Sequence, residues 1–193
     1  MAAASSTRTA DGAARNAVAP RALRTFLGNF ATGVTVVTYR RGDFLNGATV
    51  NSFTSVSLDP PLVLVALDRR TRSAGHLGSG PYTINILADG QRDLATHFAG
   101  STTPATVPWI DEDTEAPRLG GGVGHLRCEP WRTYDGGDHL LVVGRVREFE
   151  ARRGRPLLFF RGAFPRLAGQ PGDTAWAWSL DDPTSGPQFA ALD

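Results

Sequence analysis

The sequence predicts a mainly β fold, an antiparallel barrel with peripheral helices. Two observations carry that prediction. Several β-branched or alternating segments share the 193 residues with only two or three helical patterns. Strands and helices also fail to alternate regularly, which argues against a doubly wound parallel sheet. A chain of this length favours one domain and buries roughly two-thirds of its unfolded surface. Residues 1–18 read as a disordered tail, 19–168 as the folded domain and 169–193 as a C-terminal extension.

The elements follow in order. Pro20 opens a helix whose Leu23, Phe26, Leu27 and Phe30 share a face. Gly33 releases the chain into a β-branched strand, Val34 to Tyr39. A hairpin turn over Arg40 to Asp43 leads into a second strand, Asn46 to Leu58. Pro60 and Pro61 end it. Leu62 to Leu67 is a continuous apolar run, as expected of a strand buried on both faces. Arg69 to Gly80 reads as a polar loop with a short helix, and Tyr82 to Leu87 as a strand. Asp89 to Phe98 reads as a helix with Leu94, Ala95 and Phe98 on its apolar side. Ala99 to Gly124, rich in Pro, Thr, Gly and acids, reads as a long surface loop and a candidate lid. The last strands are His125 to Thr133, His139 to Glu150 and Pro156 to Phe160. Beyond Gly169 only Trp176 and Trp178 suggest packing against the body.

Composition excludes several function classes. The formal net charge of +1 lacks the basic field of a nucleic-acid binder. No apolar run is long enough for a transmembrane helix. The N-terminal residues lack the apolar core of a secretory signal. A single cysteine, Cys128, excludes an intrachain disulfide and any multi-cysteine metal site, and fits a reducing cytoplasm. All 20 basic residues are arginine. Without lysine there is no Walker A loop and no lysine Schiff base.

The segment from Asn46 to Pro61 is the most suggestive. It carries no charged residue before Asp59, yet Thr49, Asn51, Ser52, Thr54, Ser55 and Ser57 are rich in neutral hydrogen-bonding groups. That composition suits a polar ligand that is bound without a neighbouring carboxylate. Other motifs are weaker. Gly120 to Gly124 fails the dinucleotide pattern because His125 takes the third glycine position. His76, His97, His125 and His139 lack metal-ligand spacing, and no nucleophile elbow is present. In Gly136-Gly137-Asp138-His139 an imidazole stands beside a carboxylate at a strand entry. Arg72 and Ser73 close a basic loop suited to a phosphate.

In order and spacing, these segments resemble the short-chain flavin reductase family, the reductase components of two-component flavin-dependent monooxygenases. The resemblance runs from about Phe26 to Phe164. It rests on F-A-T-G-V-T-V-V-T (Phe30 to Thr38), G-A-T-V-N-S-F-T-S-V-S-L-D-P-P-L-V (Gly47 to Val63) and Y-T-I-N-I-L (Tyr82 to Leu87). G-D-H-L-L-V-V-G-R-V (Gly137 to Val146) and P-L-L-F-F-R-G-A-F (Pro156 to Phe164) complete it.

The resemblance implies an FMN-binding split β-barrel and an NAD(P)H-dependent flavin reductase. Such an enzyme passes a hydride from NADH or NADPH to FMN or FAD and supplies a partner monooxygenase. It also implies a cytoplasmic bacterial homodimer with the flavin near the subunit interface. Thr32, Gly33 and Thr35 would approach the flavin ring. Thr49, Val50, Asn51, Ser52, Phe53 and Ser55 would contact the ring, ribityl chain or phosphate. Arg72 and Ser73 fall near the phosphate loop, and His139 matches the histidine linked to nicotinamide binding and hydride transfer. The competing readings are a pyridoxamine-phosphate-oxidase-like enzyme, a flavin-binding module without turnover, and a purely structural barrel.

Overall fold

A computed structural model describes residues 18–103 and 105–168. Trp176 and Trp178 lie outside the described residues.

The chain runs α1 (Pro20–Leu27), β1 (Thr32–Gly33), β2 (Thr35–Arg41), β3 (Phe44–Val50), β4 (Thr54–Leu58), β5 (Pro61–Asp68), α2 (Arg72–Leu77), β6 (Tyr82–Ile86) and α3 (Arg92–Phe98). It continues through β7 (Trp109–Ile110), β8 (Arg118–Leu119), β9 (Gly124–Gly136), β10 (His139–Ala151) and β11 (Leu158–Phe159). Seven strands form one antiparallel sheet in the order β3-β2-β6-β9-β10-β5-β4.

That order puts β3 and β4 at opposite edges, although only residues 51–53 separate them in sequence. Four extended steps from Val50 to Thr54 span at most about 14 Å. The sheet must therefore curl until its two edges almost meet. Buried clusters cover both faces of the sheet, since Val36 and Val37 point to opposite sides of β2 and both are inaccessible. Val37, Tyr39, Val65, Leu67, Tyr82, Ile84, Cys128 and Val142 form one buried cluster, and Val34, Val36, Leu87, Ala95, Leu119 and Leu157 a second.

Several expectations change. The expected strand from Asn46 to Leu58 is two strands, because the chain must cross from one edge of the sheet to the other within it. The Leu62 to Leu67 run alternates: Val63, Val65 and Leu67 are buried, and Leu62, Leu64 and Ala66 are half-buried. Its second face turns toward the split. The pattern of α1 is that of a helix packed on a core, yet Leu23, Phe26, Leu27 and Phe30 are all exposed in the single chain, Phe26 at 71% and Phe30 at 78%.

The expected structureless loop from Ala99 to Gly124 carries β7 and β8, and its second half is pinned to the barrel. Thr38 donates to the Pro117 carbonyl, Thr83 to the Ala116 carbonyl at 2.7 Å, and Asn85 accepts from the Leu119 N–H at 2.8 Å. All three side chains are essentially inaccessible. Asp111 adds a charged tie, accepting from Arg118 at 2.7 Å and Arg127 at 2.6 Å. The Arg118 hydrogen bond, and then the nearby cations, hold its carboxyl below the usual range. Buried polar groups held this way make the segment a fixed cover over one face of β2 and β6.

Close packing also explains individual residues. Phe98 of α3 lies on β3 at Gly47, where a Cβ would approach the ring at 2.6 Å. Cys128 is 2% exposed and burial pushes its thiol up to about 12, so it is a core residue and not a nucleophile. Gly144 sits at a register shift opposite Pro130, where a side chain would overlap the Tyr82 hydroxyl and press on Cys128. Tyr82 is fully buried and cannot move aside. Gly144→Ala should therefore lower the midpoint of thermal unfolding by roughly 4–8 °C, the shift expected for an overpacked core. Circular dichroism melts of the two proteins check this, and an unchanged midpoint would contradict the packing described.

Candidate functional site

A cleft of about 260 Å³ opens at the split, where the chain leaves β3 and crosses to β4. Ala48, Thr49, Val50, Asn51 and Ser52 form one wall. Ala66, Leu67 and Asp68 from the end of β5, Thr71 before α2, and His139 at the start of β10 form the other. Residues far apart in sequence meet here through strand register: His139 pairs with Asp68 across β10 and β5.

Ser52 ties the two walls together. Its hydroxyl donates to the Ala66 carbonyl at 2.9 Å and accepts from the Ala66 N–H at 3.0 Å. The β4–β5 ladder ends at Thr54 and Leu64. One side chain thus replaces the next backbone pair and leaves residues 51–53 outside both ladders. No strand partner takes up their backbone groups, and the Asn51 side chain makes no hydrogen bond among the described residues.

The segment's hydroxyls are not the free donor row that its composition suggests. Thr49 donates to the Ala95 carbonyl of α3 at 2.7 Å, and Thr35 to the Val50 carbonyl at 3.1 Å. Both position the wall from behind. Ser73 is buried and shares a hydrogen bond with the Tyr39 hydroxyl at 3.1 Å. The free polar groups of the crossing are the Asn51 amide and the backbone.

The cleft does contain a carboxylate, contrary to the expectation from composition. Asp68 is gripped by Arg70, through the guanidinium at 2.6–3.2 Å and the backbone N–H at 2.9 Å. These hydrogen bonds hold its carboxyl well below the usual carboxylate range. Arg69 is engaged too, with Asp135 and the Gly137 carbonyl. Arg72 is exposed and has no ion pair or hydrogen bond among the described residues. Of the three arginines in this loop, it alone is unengaged.

His139 stands at the cleft mouth. The turn before it runs through Gly137 with φ +78°, a conformation glycine adopts without strain. Asp138 takes the Nδ1 position at 2.7 Å. A carboxylate only accepts, so Nδ1 carries the proton there and Nε2 is left for a ligand.

The structure gathers Thr49, Val50, Asn51, Ser52 and His139 in the lining of the cleft and leaves the other candidates outside that lining. Arg72 and Ser73 follow Thr71 on α2. Phe53 packs against the main core cluster, and Ser55 is exposed on β4 opposite Val63. Thr32 and Gly33 pair with Phe159 and Leu158 of β11, away from the cleft walls. The Thr32 hydroxyl is buried there without a partner among the described residues, and open space lies over Gly33. Sequence reading missed Ala48, Ala66, Leu67, Asp68 and Thr71. Asp138 was visible as the middle of G-D-H. The missed residues follow from a long-range register that no local pattern encodes.

Comparison with known proteins decides the family. The family model of the flavin reductase like domain matches residues 27–168. The chain belongs to the flavin reductase-like family. It is 40% identical over 166 residues to an NADH-dependent flavin reductase of Rhodococcus sp, covering 83% of this chain and 94% of that one. It is 38% identical over 148 residues to the reductase component of 4-hydroxyphenylacetate 3-monooxygenase from Thermus thermophilus, covering 76% and 95%. A Streptomyces globisporus NADH:FAD oxidoreductase solved with NAD and FAD fragments superposes with a TM-score of 0.73 at 38% identity, covering 81% and 99%. The curled sheet of this flavin reductase-like chain is thus a split barrel. The match does not favour the pyridoxamine-phosphate-oxidase-like alternative.

The cleft chemistry fits a flavin. Ala48, Val50, Ala66 and Leu67 offer apolar surface for a flat ring, and the Asn51 amide and the freed backbone of 51–53 offer neutral polar groups for its edge. The one carboxylate present is already neutralised by Arg70.

Proposed function

We propose that the protein is an NAD(P)H-dependent flavin reductase that supplies reduced FMN or FAD to a partner monooxygenase. The observation that carries this reading is the cleft itself, with an apolar wall, uncommitted neutral donors and an oriented histidine at its mouth. A bound flavin accepts a hydride from the nicotinamide, and the chain supplies binding, orientation and electrostatics.

Each residue then has a defined task. Ala48 and Val50 shape one side of the ring site. The Asn51 amide and the backbone groups of 51–53 face the polar edge of the ring, where negative charge arrives on reduction, and favour it without a proton donor. Ser52 holds that wall at a fixed distance from β5. Arg70 keeps the Asp68 charge from opposing an anionic ligand. Arg72 meets the flavin phosphate, and Thr71 sets the helix from which Arg72 projects. His139, oriented by Asp138, holds the pyridine nucleotide through Nε2 and is not an obligatory proton donor. The exposed face of α1 is covered by a second copy of the chain, which makes the working unit a homodimer. A cytoplasmic location belongs to this reading, and the buried free thiol of Cys128 and the use of NAD(P)H support it.

Steady-state oxidation of NADH and NADPH with FMN, FAD and riboflavin as acceptors tests the reaction. Continuous turnover under air is expected, and flavin binding without nucleotide oxidation would sink the enzyme reading. His139→Ala should raise the apparent KM for the pyridine nucleotide about ten-fold and slow flavin reduction in stopped flow, the effect of losing one oriented hydrogen bond. Wild-type kinetics in that variant would remove the assignment. Arg72→Ala should weaken FMN binding roughly ten-fold while leaving riboflavin within about two-fold, as loss of a charged phosphate contact requires. Equal loss of both ligands would count against a phosphate contact. Sedimentation velocity should show a dimer that Phe26→Asp shifts toward monomer, and a monomeric wild-type protein would rule out the dimer.

A further inference from the structure

A buried polar cluster grips α2, and the proposed chemistry does not use it. Tyr39 of β2 is 1% exposed. Its hydroxyl meets the Ser73 hydroxyl at 3.1 Å, and its ring stacks on the His76 imidazole with centroids 4.4 Å apart and planes 20° apart. Ser73 and His76 are three residues apart on α2 and so share a face. The His76 carbonyl also accepts from the N–H groups of Ser79 and Gly80 and from the Ser79 hydroxyl, closing the helix. Gly80 must stay small, since a Cβ there would meet the imidazole Nε2 at 3.0 Å.

The other end of α2 is held by Thr71. Its hydroxyl accepts from the Ala74 N–H at 3.3 Å and donates to the Asp68 carbonyl at 2.7 Å. Arg72 lies between the two anchors. A helix of six residues does not hold itself together in water, so these anchors decide where its side chains stand.

We propose that His76 is a positioning residue for the phosphate end of the cleft: its stack on Tyr39 fixes α2 so that Arg72 stands at the cleft, and protonation of the ring loosens that hold. The proposal rests on the reading of Arg72 as the phosphate ligand. Three groups face the imidazole: Tyr39, Arg41 at the end of β2, and Glu115 from the segment after β7. Burial, and then the Arg41 cation, hold the imidazole below its ordinary range, and Glu115 opposes them only in part. An undocked α2 would therefore bind a proton more readily than the docked one. Docking is complete above about pH 6.5 and weakens as the pH falls below it.

Flavin-fluorescence titrations of the full chain with FMN and with riboflavin test this, using wild type, His76→Gln and His76→Ala. The glutamine amide is planar and can stack on Tyr39, but it cannot ionise. At about pH 8, His76→Ala should lower the preference for FMN over riboflavin roughly five-fold, and His76→Gln should stay within about two-fold of wild type. Between about pH 8 and 5.5, wild type should lose more of that preference than His76→Gln. The phosphate's own second ionisation near pH 6 is common to both proteins and cancels in the comparison. If His76→Ala weakens FMN and riboflavin equally, or if wild type and His76→Gln lose preference in parallel, His76 is a core residue only and the proposal fails. A wild type that oxidises NADH but never prefers FMN to riboflavin would instead remove the Arg72 reading, and this inference with it, while leaving the reductase standing.

Discussion

Three residues between β3 and β4 set the geometry on which the rest of the molecule depends. They join strands at the two ends of a seven-stranded order. A flat sheet would hold those edges apart by six interstrand spacings of about 4.8 Å, close to 29 Å and twice what the link can span. Curling is therefore compulsory. The residues that bridge the gap cannot pair with either ladder, so the curl leaves unpaired backbone beside an open cleft. Barrel shape and ligand site come from the same constraint.

Ser52 sets the width of that opening. Its hydroxyl both gives and takes a hydrogen bond at Ala66, standing in for one backbone pair. It holds the β3 end against β5 while leaving the ladder open one residue further on. Charge is settled locally around the opening. Asp68 takes Arg70, Asp135 takes Arg69, and Asp138 takes His139. These pairs are largely exposed and add little to stability. Their effect is on the site: they fix the sign and position of what is left over, which is one arginine at the start of α2 and one imidazole nitrogen at the cleft mouth.

Much of this was legible in the sequence. Strand identities, the hairpin at Gly42, the glycine turn before His139 and the helix opened by Pro20 are local, and local propensity marks them. Topology was less accessible. Asn46 to Leu58 reads as one alternating strand because its alternation survives the crossing. Only the long-range pairing of β3 with β2 and of β4 with β5 reveals the break. The tie between the segment near Pro117 and Thr38 spans 79 residues, and nothing in a run of Pro, Gly and acids announces it. The apolar face of α1 was legible as a face, but its exposure appears only when the single chain is folded.

The hydroxyl-rich composition that first marks the site carries a different meaning once the hydrogen bonds are known. Thr35, Thr49, Ser52 and Ser73 all bond to groups of the protein itself. Thr35, Thr49 and Ser52 bond the carbonyls of Val50, Ala95 and Ala66, and Ser73 bonds the Tyr39 hydroxyl. Each side chain so holds part of the frame around the cleft, against β3, α3, β5 or β2. These hydroxyls therefore serve the fold before any ligand arrives. Binding capacity then falls to groups that the fold has no use for. In the function proposed above these would be the Asn51 amide, the backbone of 51–53 and Arg72, neutral groups and one cation that suit a ligand with a polar edge and an anionic end. A flavin nucleotide has that shape.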